Sequence, residues 1–258
     1  MYKAIFFDID GTLISFKTHT MPTTTLEALK KLREKGIKLF VATGRPKMAA
    51  MFIEDYFKFD GYITLNGQYC FNESEVIHKK SINKNEIKNL VNLLKTNPFP
   101  CTFIEENRMY INYIDDKVKE HCKMTNQQLP KIGNVEEALK NDIYQFLAYL
   151  DEDQKSILID NVKEIIPNRA VNICMDVAPA GGGKVVGIDA ILNYYKISLN
   201  ETIAFGDGRN DIEMLKHVNL GIAVGNSSDE VKKNADYVTT DIENDGIKKS
   251  LVDLKIID

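Results

Sequence analysis

An α/β fold with a parallel-sheet core and an inserted α+β unit is the class this sequence predicts. Three observations carry it. Short runs rich in β-branched and aromatic residues alternate with amphipathic helical stretches. These runs stop at clusters of Gly, Asp, Thr or Asn, and between about residues 82 and 182 the alternation gives way to a different mix of elements.

The runs are Lys3 to Phe7, stopping at Asp8; Ile37 to Ala42, stopping at Thr43; and Tyr62 to Leu65, stopping at Asn66. Two more follow late in the chain: Thr202 to Phe205, stopping at Gly206 and Asp207, and Gly221 to Val224, stopping at Gly225 and Asn226. Open parallel sheets bind ligands beyond the carboxyl ends of their strands, so these polar clusters are expected to converge. A cap at Thr24 or Thr25, a face of Leu26, Leu29 and Leu32, and Gly36 as stop define the first connecting helix. Further apolar faces follow Pro46 (Met48, Met51, Phe52), Lys184 (Val186, Ile191, Leu192, Tyr195) and Asn210 (Ile212, Met214, Leu215).

Inside the insertion, Ile87, Leu90, Val91 and Leu94 mark a helix, and Thr102 to Glu105 and Met109 to Ile114 mark strands. A strand from Tyr144 to Leu150, a helix from Ser156 to Ile166 and a strand from Val171 to Val177 complete two strand-and-helix units. The expected division is residues 1–81 with 183–258 as the core and 82–182 as the insertion. Gly181, Gly182 and Gly183 supply a return hinge, since glycine accepts the φ values of a chain reversal.

A length of 258 residues admits one or two domains, and 44% hydrophobic with 27% charged residues is ordinary for a globular chain. With 33 basic and 37 acidic residues interspersed, no basic field draws nucleic acid or an anionic membrane. Apolar runs such as Ala4 to Phe7 and Ile143 to Leu150 fall far short of the roughly 20 residues that span a bilayer, and no signal-peptide run opens the chain. A cytoplasmic location is expected. Cys70, Cys101, Cys122 and Cys174 are scattered, which suits buried thiols, and the four histidines form no cluster.

The most specific string is Asp8-Ile9-Asp10-Gly11-Thr12 directly after the first strand. A calcium loop needs a third acidic position before its glycine and a later bidentate Glu, whereas Gly11 follows the second acid at once. Two carboxylates in one turn suit phosphoryl transfer, with Asp8 attacking phosphorus and Asp10 managing the leaving-group proton. A bound Mg²⁺ would keep Asp8 ionised.

The string Gly206-Asp207-Gly208-Arg209-Asn210-Asp211 departs from a dinucleotide fingerprint at its third glycine, where Asp211 stands. Asp207 instead offers Mg²⁺ a hard oxygen. Asp211 suits either a hydrogen bond to a metal-bound water or a helix N-terminus. In Thr43-Gly44-Arg45 a hydroxyl and main-chain N–H groups at a helix start can cradle phosphate, the alternative being a plain Thr cap before Pro46. Gly183-Lys184 is not a P-loop end, because Ala178 replaces its first glycine and Val185 its Ser or Thr. Lys184 is either solvated or set to offset phosphate charge.

Taken in order, these four segments resemble the four motifs of the haloacid-dehalogenase superfamily, and the insertion resembles a C2-type cap. The whole layout is similar to the Cof-type sugar-phosphate phosphatases, with one departure in the glycine-rich stretch from Ala178 to Lys184 followed by Val185. The resemblance implies a Rossmann-like core and Mg²⁺ held by Asp8, Asp207 and the backbone carbonyl of Asp10, with Asp8 as nucleophile and Asp10 as acid/base. It places Thr43, Gly44, Lys184 and Asn210 on the phosphate and Asp211 in support. The implied activity is hydrolysis of a small phosphorylated metabolite, a hexose or pentose phosphate, by a monomer or weak homo-oligomer. Alternatives are a phosphosugar mutase using the same aspartyl-phosphate and a non-catalytic phosphometabolite sensor. Arg108, Arg169 and Asn172 in the cap are in no spacing that identifies a ligand.

Overall fold

The structure is a computed structural model that describes residues 1–125, 128–171 and 173–258. It divides into two compact units, Met1–Lys79 with Gly183–Asp258, and Lys80–Gly182. Strands are numbered along the chain: β1 (Ala4–Phe7), β2 (Lys38–Ala42), β3 (Gly61–Thr64), β4 (Tyr69–Phe71) and β5 (Val76–Lys79) precede the insertion. Within it lie β6 (Cys101–Ile104), β7 (Met109–Ile111), β8 (Lys131–Ile132), β9 (Gln145–Ala148), β10 (Ile165–Val171) and β11 (Cys174–Pro179). After it come β12 (Thr202–Gly206), β13 (Leu220–Ala223) and β14 (Tyr237–Val238).

The first unit holds an eight-stranded sheet in the order β14-β13-β12-β1-β2-β3-β4-β5. From β14 to β3 every pairing is parallel, and β4 and β5 add an antiparallel edge. Every residue of β1 is buried, as its unbroken apolar run requires of a strand covered on both faces. One face packs Phe6, Phe40 and Ile63 against Ile188, Ile191 and Leu192 of the helix Lys184–Tyr195. The antiparallel edge is not among the elements that the sequence predicts. Its turn is an Asx-turn in which Asn72 Oδ1 accepts from the N–H groups of Ser74 and Glu75, both at 2.8 Å.

Two helix expectations change. The first helix, Thr23–Glu34, starts from Pro22 without a side-chain cap, because the Thr24 hydroxyl donates to Asp245 Oδ1 at 2.7 Å instead. After Pro46 only Lys47–Ala50 is α-helical before a 3₁₀ turn, Met51–Asp55, takes over. That switch rotates Ala50 and Ile53 into the core and leaves Met48 exposed. Gly36 ends the first helix as expected, at a φ of 76°.

The second unit holds a six-stranded sheet in the order β10-β11-β9-β6-β7-β8. The helix Lys84–Thr96, capped by the Asn83 side chain, lays Ile87, Leu90, Val91 and Leu94 against Phe103, Phe146 and Val177. The expected helix Ser156 to Ile166 is shorter, running Lys155–Asn161, and Ile165 already belongs to β10, which pairs antiparallel with β11. Pro167 suits the strand that follows: it disfavours helix at Ile166, and it is tolerated in β10 because that strand lies at the sheet edge. The helix Asp116–Met124 also escaped sequence reading, since its buried face is only Val118, His121 and Cys122. Asn172 and the Arg169 side chain lie outside the described residues.

All four cysteines are buried thiols. Among the described residues no helix is long and apolar enough to cross a membrane.

Candidate active site

Strand order alone gathers the motif ends. β12 and β2 flank β1, so the segments after Phe7, Ala42 and Gly206 emerge side by side, with those after β3 and β13 one strand further out. Asp8 continues β1, its N–H bonding to Phe205 O at 3.0 Å, and is 6% exposed. Lys184 reaches it from the first turn of its helix, Nζ donating to Asp8 Oδ1 at 2.7 Å and to Asp211 Oδ1 at 2.5 Å. Asp211, fully buried, spends its other oxygen on the main chain, where Oδ2 accepts from the N–H groups of Asp207 at 3.0 Å and Gly208 at 2.9 Å. It therefore fastens the β12 loop to Lys184, and both of its oxygens are engaged.

Asp207 is fixed from two sides. Thr12 Oγ1 donates to its Oδ1 at 2.7 Å, and Asn226 Nδ2 donates to its Oδ2 at 3.2 Å and to the Gly11 carbonyl at 2.8 Å. Gly11 is required here, with a φ of 82° and room for a Cβ denied by Asp207 Oδ2 at 2.1 Å. Asp10 stands apart, both carboxylate oxygens held by Arg45: Nε donates to Oδ2 and Nη2 to Oδ1, each at 2.7 Å. Arg45 is itself steadied by the Ala49 carbonyl at 3.2 Å and by the Phe52 ring at 5.1 Å. Such a bidentate fork is the strongest geometry an arginine offers a carboxylate.

Thr43 is buried and turns its hydroxyl into its own loop, accepting from Arg45 N–H at 3.1 Å. Gly44 lies beneath the Asn66 side chain, and Asn210 Nδ2 donates to Asn66 Oδ1 at 3.0 Å. Thr12, Arg45, Asn66 and Asn226 thus join the site without having been assigned a role from sequence. Thr12 and Arg45 sat inside strings already singled out, and Asn66 and Asn226 at strand ends; no spacing rule connects residues such as Gly11 and Asn226, 215 positions apart.

The electrostatics are those of an under-compensated anionic centre. Burial pushes the Asp8 carboxyl well above the usual carboxylate range, Lys184 works against this, and the charges of Asp211 and Asp207 add to it. Burial likewise pushes Asp207 up to about 7, against the Thr12 hydrogen bond. For Lys184 burial works downward, but Asp211 and Asp8 outweigh it and hold the ammonium charged, above the usual lysine range. Asp8, Asp207 and Asp211 each offer an oxygen within 4.8 Å of the others, with one ammonium among them. Hard oxygens with excess negative charge fit a divalent cation of the magnesium kind. Asp211 already meets the Lys184 ammonium and two main-chain N–H groups, and Asp8 and Asp207 are the other two carboxylates of the cluster. Asp8 Oδ2 has no hydrogen-bond donor among the described residues.

The haloacid dehalogenase-like hydrolase family matches residues 5–251. A 5-amino-6-(5-phospho-D-ribitylamino)uracil phosphatase of Bacillus subtilis (strain 168), YitU, is 27% identical over 259 residues, covering 96% of this chain and 95% of that protein. The structure of a sugar phosphatase of HAD subclass IIB superposes with a TM-score of 0.88 at 38% identity, covering 99% of this chain and 100% of that one. A phosphatase of the same superfamily from Bacteroides thetaiotaomicron superposes with a TM-score of 0.92 at 31% identity, covering 100% and 96%. A match running from β1 to the last helix, on a fold that buries an aspartate beside a lysine at the head of its central strand, places the chain in the haloacid dehalogenase-like hydrolase family, as a HAD-type phosphatase.

Proposed function

We propose that the chain is a magnesium-dependent, Cof-type phosphatase that hydrolyses small phosphomonoesters, sugar or polyol phosphates foremost, through an aspartyl-phosphate on Asp8. The Lys80–Gly182 unit would then be a C2-type cap that selects the substrate. The observation that carries the reading is the Asp8 carboxylate, with one oxygen on Lys184 and the other without a donor among the described residues. The substrate class is supported by two relatives, one a sugar phosphatase and the other acting on a phosphorylated ribityl chain.

In this mechanism Asp8 Oδ2 attacks phosphorus in line with the leaving oxygen. Lys184, already 2.7 Å from Asp8 Oδ1, lies where it can follow charge onto the phosphoryl oxygens, and Thr43, Gly44 and Asn210 bound the phosphate position. Asp10, using an oxygen lone pair that the Arg45 fork leaves free, hands a proton to the departing oxygen and then takes one from the water that attacks the aspartyl-phosphate. Asp8, Asp207 and the Asp10 carbonyl would hold magnesium, which when bound would supply charge neutralisation and polarisation of the phosphoryl group. Asp211 supports Lys184 and the β12 loop.

Phosphate release from a panel of sugar and polyol phosphates, with Mg²⁺ and with EDTA, tests the reading. Magnesium-dependent release is expected, lost in EDTA and recovered when Mg²⁺ is restored. Release that requires a bisphosphorylated activator would establish a mutase, and thermal stabilisation by ligand without turnover a sensor. Arg45→Lys follows from the fork on Asp10: lysine cannot hold two oxygens in one plane, so kcat for sugar phosphates is expected to fall by about tenfold or more. The loss should be smaller for 4-nitrophenyl phosphate, whose leaving group needs less protonation. Equal losses on both substrates would remove Arg45 from the control of Asp10.

A further inference from the structure

The turn leaving β3 is built against backbone preference. Leu65, Asn66 and Gly67 take φ values of 54°, 53° and 95°, three successive residues in the left-handed region. Asparagine and glycine visit that region readily, but for a leucine it is an outlier. The conformation is held from both sides. Leu65 N–H bonds to Arg45 O and Asn66 N–H to Thr43 O, each at 3.0 Å. A Cβ on Gly67 would lie 2.0 Å from the Gly183 carbonyl oxygen. The turn is thus wedged between the two segments that carry Thr43, Gly44 and Lys184.

The result is a fixed direction for one side chain. A Cβ on Gly44 would lie 3.2 Å from Asn66 Oδ1 and 3.3 Å from Nδ2, so the carboxamide rests on Gly44. Its oxygen accepts from Asn210, which leaves Nδ2 with no hydrogen-bond partner among the described residues. Asn66 is half-buried, so these donors stay accessible beside the main chain of the phosphate loop. Backbone strain sustained by its surroundings is characteristic of functional sites.

We propose that Asn66 is a phosphate-contacting residue, its Nδ2 donating to a phosphoryl oxygen over Gly44 while Asn210 holds the carboxamide in orientation. The inference rests on the phosphatase reading above and adds a donor to it. Strengthening as charge builds in the transition state, the contact acts on kcat more than on KM.

Asn66→Gly and Asn66→Asp test it. Glycine takes a φ of 53° without steric cost, which offsets the lost Asn210 hydrogen bond and the looser unfolded chain, so Asn66→Gly should melt close to the parent. Its kcat/KM should nonetheless fall roughly ten- to a hundredfold, mostly in kcat, with vanadate inhibition weakened by a similar factor. Asn66→Asp keeps the size and the oxygen that accepts from Asn210 but turns an anion toward the phosphate, and should lose more. Asn66→Gly at parental kcat/KM, or a loss of activity matched by a loss of stability, would make Asn66 a turn residue and overturn the proposal. A parent without magnesium-dependent turnover would instead remove the phosphatase reading, and with it this contact.

Discussion

Asp8→Asn is expected to lower turnover by about 10⁴-fold or more while leaving the metal-free fold within about 1 kcal/mol of the parent's stability, or above it. An amide is a far poorer nucleophile than a carboxylate and cannot form the acyl-phosphate, so the chemistry goes. Stability behaves differently because Asp8 is one of three carboxylates around a single ammonium. Burial and the charges of Asp211 and Asp207 all disfavour its ionised form. Replacing it removes that repulsion, while Lys184 keeps Asp211 at 2.5 Å and an asparagine oxygen can still accept from Nζ. A change within about 1 kcal/mol, or a gain, is the expected balance. Magnesium should reverse the ranking: the parent gains melting temperature in proportion to its affinity for the ion, and Asp8→Asn, short of one anionic ligand, gains less. Phosphate release read beside thermal melts with and without Mg²⁺ checks both halves. More than about one per cent residual turnover would sink the covalent mechanism.

What could be read from sequence divides along physical lines. β1, β2, β3 and β12 are legible because strands buried on both faces show as unbroken apolar runs, and their chemistry stands at one end. The edge hairpin of β4 and β5 is not, because Val76 to Lys79 is largely exposed and carries no apolar face to detect. β10 hid inside a helical pattern until Pro167 is read as an edge-strand residue. The site shows the same division. Asp8, Asp10 and Asp207 stand out because each belongs to a compact local string. The role of Asp211 stays open in the sequence between a metal-water contact and a helix start, and neither shows the lysine clamp, which forms only when the chain brings Lys184, 27 residues earlier, onto its carboxylate. Asn226 could not have been assigned at all, because its partners Gly11 and Asp207 are set by strand order rather than spacing.

Lys184→Met should be the most destabilising single change at the site, and the reason is charge rather than packing. Methionine keeps the apolar stem in a position where the lysine side chain is 1% exposed, so little cavity is opened. What disappears is the ammonium that faces Asp8 and Asp211, leaving two buried carboxylates with no cation in contact. Breaking a buried pair from one side costs about 3–5 kcal/mol, because the remaining charge stays desolvated and unpaired. For a chain of this size that is a fall in melting temperature on the order of 10 °C, accompanied by loss of turnover. Two further observations separate this cause from a packing defect. Adding Asp8→Asn removes one of the stranded carboxylates, so the double variant should be more stable than Lys184→Met alone, a coupling that a steric fault would not show. Magnesium should raise the melting temperature of Lys184→Met at least as much as that of the parent, since the ion restores part of the missing positive charge. If Lys184→Met melts with the parent, the two carboxylates share a proton when the lysine is gone, and the ammonium serves the phosphoryl group alone.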